Sequence, residues 1–405
     1  MVKKIIAPII AVILMATLLS SCQEGDSIGW QSYNNSAPNY NNIENDEFSS
    51  VVSAKDNTVF YSWDGFYNPH LSVFDAKKKH HILQGLQLAP EELSYDFFVL
   101  GTKAYFCTES VNVEDEIEGM ASIDTTKQSE TEVCNFYEYD LTNKLYKKLF
   151  TIEGPLIHSW SVSEGAFAFK KVKPSQSDED GYVLDESTYS LTLYDISKEE
   201  EVTVCDSVIG SCFVSNKLRY VTHSNSVFTL FEYDKETNES AELGSFNPNK
   251  HGAIFYDDAY LTLNFTEEKL ILSDINGEYD AMLVLDINSG TVSKYTLPAS
   301  ISSLIAGEKY AYAVVGSYDC YREDDGNDNG VFSDSYAESR GIYKIDLSDG
   351  TYEKLDFSVN DHTDIFVISD DEVIIEQINM QAIIAAVTVY KYDADENKIT
   401  KLFKR

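Results

Sequence analysis

Apolar and polar residues alternate with a period of two through most of this chain, and clusters of Asn, Asp, Gly, Ser and Lys cut the alternation at short intervals. That pattern predicts short β-strands joined by tight turns. A longer pattern is laid over it: an apolar strand closing on an aromatic or aliphatic residue and Asp, a short polar turn, then a further short strand. It recurs as SVFDAKKKHHIL (72–83), EYDLTNKLYKKLF (138–150), LYDISKEEEVTVC (193–205), EYDKETNESAEL (232–243), VLDINSGTVSKYTL (284–297), KIDLSDGTYEKLDF (344–357) and KYDADENKITKLF (391–403). The marker aspartates are Asp75, Asp140, Asp195, Asp234, Asp286, Asp346 and Asp393, about 53 residues apart on average. Two further strand-like runs precede each copy; in the last unit they are DIFVISDD (364–371) and EVIIEQIN (372–379).

Four strands per unit and seven units predict an all-β fold: a seven-bladed β-propeller of four-stranded antiparallel blades over residues 47–405. Runs such as AFAF (166–169) and AMLVL (281–285) are apolar at nearly every position. A strand covered on both faces reads this way, as a strand does when its sheet is sandwiched between two others. A pair of β-sandwiches would not account for seven units. The repeated Asp is expected to start the turn between third and fourth strands, where its carboxylate accepts local backbone N–H groups.

The amino end departs from this pattern. Lys3 and Lys4 precede an apolar run from Ile5 to Leu19 and then small residues, the layout of an export signal over 1–21. Leu19-Ser20-Ser21-Cys22 resembles the bacterial lipobox, which implies lipidation of Cys22 and anchorage on the extracytoplasmic side of a bacterial membrane. The run is short for a membrane span of roughly 20 residues. Residues 22–46 are rich in Asn, Ser and Asp, which predicts a flexible tether.

Charge then narrows the partners. The chain has 31 basic and 67 acidic residues, a net −36. A surface this negative repels nucleic-acid phosphates and anionic lipid headgroups, so nucleic acid is not an expected partner. Cysteines beyond Cys22 number five, and Cys107 with Cys134 is the pair most readily bridged in an exported protein.

In such a propeller the second-to-third strand turns share one end with the links between blades. The long insertions 111–132, 174–188, 266–280 and 318–340 all fall there, which marks that end as the working one. Trp63, Phe66, Tyr67, Tyr318 and Tyr321 are expected on it and could stack on sugars or a peptide. So are His70, His158, His223, His251 and His362, which a divalent metal could share. No close His–His spacing links any two of them. Asp325, Asn327 and Asn329 match the first half of a calcium loop, but Tyr336 stands where its bidentate Glu belongs; a plain acidic loop is the competing reading. Calcium is the one cofactor this suggests. G-x-S-x-G, P-loop, H-E-x-x-H and C-x-x-C patterns do not occur.

The YD-turn repeats resemble those of exported bacterial propeller lipoproteins, loosely shared by quinoprotein-like and translocation-protein-B-like propellers. The quinoprotein class and the outer-membrane assembly lipoprotein of that superfamily carry a Trp late in each repeat. This chain has only Trp30, Trp63 and Trp160, none at that place, which argues against a quinone cofactor. The expected function is a non-catalytic, membrane-anchored lipoprotein that binds a protein or glycan. The alternatives are a metal-assisted polysaccharide lyase or hydrolase with a histidine-rich rim, and a structural subunit of an envelope complex.

Overall fold

In the computed structural model of the protein, Ser27–Ile28 and most of residues 51–404 are described. Between 51 and 404 the segments outside the description are 56–57, 66–67, 76–79, 88–91, 101–102, 111–131, 141–144, 155–156, 164, 173–188, 254–260, 275–279, 317–338, 361–362 and 382–383.

A two-residue strand, β1 (Ser27–Ile28), comes first, inside the segment read as a tether. The first sheet holds β2–β5 (Val51–Lys55, Thr58–Gly65, Asn68–Asp75, His80–Gln87). The second holds β6–β9 (Glu92–Leu100, Lys103–Ser110, Glu132–Asp140, Leu145–Gly154). The third is β10–β13 (Ile157–Ser163, Ala166–Val172, Tyr189–Asp195, Glu200–Cys205) and the fourth β14–β17 (Gly210–Val214, Lys217–Ser224, Val227–Asp234, Glu239–Phe246). The fifth is β18–β21 (Leu261–Phe265, Lys269–Asp274, Ala281–Asp286, Val292–Thr296) and the sixth β22–β25 (Ile301–Ala306, Tyr310–Val315, Gly341–Asp346, Tyr352–Lys354). The seventh is β26–β29 (Thr363–Ser369, Glu372–Gln381, Ile384–Asp393, Lys398–Lys404). Six sheets are four-stranded antiparallel meanders. The second gains a fifth strand because β1 pairs antiparallel with the outer edge of β9.

First strands meet first strands. β2 touches β6, β6 touches β10, and the series runs on through β14, β18, β22 and β26, which returns to β2. The reason lies in the period of two, which sends alternate side chains to opposite faces of a sheet. In the fifth sheet Leu270, Leu272, Leu283 and Leu285 pack with Val214, Val221, Phe228 and Leu230 of the fourth. Their strand neighbours Ile271, Met282 and Val284 pack the other way, with Ile301, Leu304, Ala311 and Ala313 of the sixth. The sixth sheet repeats the device, turning Tyr312, Val314 and Ile342 toward Ile365, Val373 and Ile375 of the seventh. Between the second and third sheets the filling is aromatic: Phe136 stacks on Phe150 at 4.9 Å and meets Trp160 edge-on at 5.2 Å.

Every marker aspartate is the last residue of a third strand, in β4, β8, β12, β16, β20, β24 and β28. Where the turn is described, its carboxylate accepts backbone N–H bonds: from Ser197 and Lys198 to Asp195, Glu236 to Asp234, Ser289 to Asp286, Ser348 to Asp346, and Glu396 to Asp393. Four residues after each of these aspartates the backbone turns left-handed, at Glu199 (φ 53°), Asn238 (57°), Gly290 (67°), Gly350 (75°) and Asn397 (44°). Gly and Asn tolerate that conformation; Glu199 adopts it at a cost. Gly350 also lies against the Tyr295 ring of the neighbouring sheet, where a Cβ would collide.

The first-to-second turns are joined sheet to sheet by polar contacts. Ser163 Oγ donates to Asn216 Oδ1 at 2.7 Å, and Ser215 bonds Glu267. Glu267 N donates to Glu308 Oε1 at 2.5 Å, and Lys309 N to Asp370 Oδ1 at 2.9 Å. The buried Arg219 adds a bond to Glu267 O at 2.9 Å while paired with Glu232 at 3.1 Å. Burial pushes the Glu232 carboxyl up, but Lys217 and Arg219 outweigh it and hold it below the usual carboxylate range.

Two corrections to the sequence reading follow. The segment 266–280 is not one insertion, because its short apolar run KLILSD is strand β19. Cys107 and Cys134 do not form a disulfide but are both buried thiols. Cys134 lies opposite Glu109 and Cys107 opposite Phe136, so the two are diagonal neighbours. Diagonal positions are about 7–8 Å apart, beyond disulfide reach.

Leu283, fully buried between the fourth and fifth sheets, should cost about 2–5 kcal/mol when replaced by Ala, measured by urea unfolding; a loss under about 0.5 kcal/mol would contradict two-sided packing. In the turns, Glu199→Gly should raise stability by about 1 kcal/mol and Gly350→Ala should lower it. Calorimetry giving the same sign for both would refute the left-handed assignment.

Candidate functional site

Antiparallel meanders put second-to-third turns and inter-sheet links at one end, and first-to-second and third-to-fourth turns at the other. The connections are unequal. At the second end no described or bounding strand pair is separated by more than five residues (287–291 and 347–351 are the longest). At the first end lie 111–131, 173–188 and 316–340, together with the link 247–260. That end is the candidate site.

The residues at the roots of these connections are fixed from the sheets. Below 173–188, Lys170 Nζ sits 4.2 Å over the Tyr189 ring and donates to Ile209 O of the next sheet at 2.6 Å. Below 316–340, Gly316 N donates to Ser300 O at 3.0 Å and Tyr343 OH to Ser339 O at 2.7 Å. The link 247–260 opens with a short 3-10 helix, Pro248–His251, capped by the Asn247 side chain. On the seventh sheet a polar cluster ties the preceding link to the strands. Gln377 Nε2 donates to Ser358 O at 2.6 Å, Asn360 Nδ2 to Ile378 O at 3.1 Å, and Thr363 Oγ1 to Asn360 Oδ1 at 2.9 Å. Beside it Glu376 is 1% exposed and lies opposite Asp364 in the β26–β27 ladder.

Four of the five expected histidines fall in described backbone, all at this end. His70 is in β4 opposite Trp63, His158 in β10, His223 near the end of β15 and His251 in the short helix. They come from different sheets or links. His223 is packed on Phe228, with ring centroids 4.3 Å apart. Among the described residues no group of three or more His, Cys, Asp or Glu is arranged to hold a metal. Cys22, Phe66, Tyr67, Tyr318, Tyr321, Asp325, Asn327, Asn329 and His362 lie outside the described residues.

Lys170, Glu376 and Gln377 were not anticipated. A signal for the last two was present, since Glu-Gln interrupts the apolar run of EVIIEQINM. Lys170 gave none, because its role depends on a neighbouring sheet. The marker aspartates have a local role at the opposite end, as expected. Side-chain and backbone bonds from Ser197 hold Asp195 below the usual carboxylate range, Ser289 does so for Asp286, and Ser348 for Asp346.

The likenesses to solved structures concern the fold. The β-propeller domain of the Trilobed protease from Pyrococcus furiosus superposes with TM-score 0.51 at 11% identity, over 88% of this chain and 96% of that one. An acylaminoacyl peptidase solved with Z-Gly-Gly-Phe-chloromethyl ketone gives TM-score 0.50 at 11% identity, over 88% of this chain. This chain spans about half (52%) of that peptidase's length. An oligogalacturonate lyase in complex with manganese covers 76% of this chain and 75% of its own at 15% identity, but its TM-score of 0.44 carries no weight. No known family matches the sequence, and no curated protein is significantly similar to it. The fold is that of a β-propeller.

The depressed aspartates set an acid limit. A carboxyl whose folded pKa lies below its unfolded value stabilises above that unfolded value, and the stabilisation is lost as pH falls through the folded pKa. Stability should therefore hold from neutral pH down to about 4 and fall below it. Asp286→Ala with Asp346→Ala should flatten that fall; an unchanged acid limb in denaturant melts would show that these turns carry none of it.

Proposed function

We propose that the chain is a seven-bladed β-propeller, exported and held at a bacterial membrane by a lipid on Cys22, which binds a protein or glycan through its loop-bearing end without catalysing a reaction. The observation that carries this reading is the inequality of the connections. One end is closed by turns of near-constant length and stitched by polar contacts; the other bears long, unlike segments on fixed roots. A rigid scaffold presenting variable segments on one side suits recognition. Seven sheets whose first strands touch in a closed series support the blade count. The lipobox resemblance at Cys22 supports anchorage.

Replacing 318–338 by a short Gly-Ser linker tests the reading. Binding to the ligand recovered by screening glycans and envelope extracts should fall at least about tenfold, with the melting temperature unchanged. Undiminished binding after that replacement and a like replacement of 111–131 would contradict a loop-end site. Turnover of an acidic polysaccharide by the wild-type chain would contradict the non-catalytic reading.

A further inference from the structure

Apart from β1, every sheet is built from consecutive strands, so each passes to the next through a link: 88–91, 155–156, 206–209, 247–260, 297–300 and 355–362. All six links lie at the loop-bearing end. Four of them are only two to four residues long, which limits how far the sheets they join can part there. The two longer ones are pinned to a sheet. Lys294 of β21 donates to Gly252 O in 247–260, and Gln377 of β27 to Ser358 O in 355–362. Seven sheets in a ring have seven interfaces, so one interface has no link. It is the seam between the first and seventh sheets, where β2 touches β26.

The amino-terminal segment does not strap that seam. β1 pairs with β9, so residues 29–50 join the outer edge of the second sheet to the start of β2 and add a tie between the first two sheets. What the seam buries also favours parting. In β27, Val373 and Ile375 pack toward the sixth sheet. Ile374, Glu376 and Ile378 alternate with them and therefore take the face toward the first sheet. Glu376 is the one carboxylate buried among the described residues. Taking a carboxylate out of water costs free energy, and separating the two sheets returns its hydration.

We propose that the ring opens and closes at this seam, the first and seventh sheets parting at the loop-bearing end while the six linked interfaces hold. β2 and β26 are each the terminal strand of their sheet, so the movement separates two faces and breaks no ladder bond. It widens the end that carries the long segments, which then part to admit a ligand and close around it. The proposal rests on the seven-sheet ring and the loop-end site proposed above, and gives that site its movement.

Thiol labelling tests it on the full-length chain carrying Ile378→Cys. Iodoacetamide is added under native conditions, each cysteine peptide is quantified by mass spectrometry, and each rate is divided by that of the same thiol in concentrated urea. Two native thiols report linked interfaces: Cys107 between the second and third sheets, and Cys212 between the fourth and fifth. Cys107 and Ile378 are equally buried at 6% exposure, so a difference in rate reports movement. The thiol at position 378 should react at least about tenfold faster than both, and low urea should barely change its rate, because local opening exposes little surface. Labelling there as slow as at Cys107 and Cys212 overturns the seam and leaves the ring standing. Labelling as fast as in concentrated urea overturns the ring as well, since no sheet would then cover that face. Val389→Cys, fully buried on the same face opposite Glu376, gives the same decision if the first substitution disturbs folding.

Discussion

Two-sided burial of the strands is the constraint on which this structure depends. A sheet with one apolar face needs one partner; the third to sixth sheets bury apolar residues on both faces, so each needs a partner on either side. Ile271 and Leu272 are sequence neighbours, yet they serve different cores, one shared with the sixth sheet and one with the fourth. A row of such sheets has no natural end, since its terminal faces would remain wet. Joining the first sheet to the last through β2 and β26 removes both ends together. No single central core is required.

That arrangement divides labour between the two ends. The first-to-second turns sit where neighbouring first strands meet, so they are close enough to bond one another, as Glu267 does with Glu308 and Lys309 with Asp370. Long connections there would break those bonds. The opposite end carries the links and the second-to-third connections, where Lys170 and Gln377 secure only the roots. Length can grow at that end without loosening the sheets. A recognition surface at that end is thus compatible with the scaffold, because it uses a part of the sheets that the inter-sheet cores leave free.

The fold was more legible in the sequence than the site. The marker aspartates gave the units and the turn chemistry, because an Asp accepting N–H bonds from the next few residues is a local event. Continuous runs such as AMLVL gave the two-sided packing for the same reason. The merging of β19 into an insertion shows the limit: KLILSD is short, and nothing inside it distinguishes a strand from an apolar loop. The Cys107–Cys134 disulfide failed on register, which a turn of unknown geometry cannot supply. The pairing of β1 with β9 was illegible, since two residues in a polar segment carry no periodic signal. The candidate site was legible only as an end of the molecule. Lys170 reaches from the third sheet to Ile209 O beside the fourth, and such a relation appears only once the sheets are placed.

The central claim is geometric, and a crystal structure of the acyl-free chain tests it most directly. It should show seven antiparallel sheets around one axis, with 111–131, 173–188 and 317–338 emerging at a common end. A different number of sheets, or those three segments divided between the two ends, would contradict it.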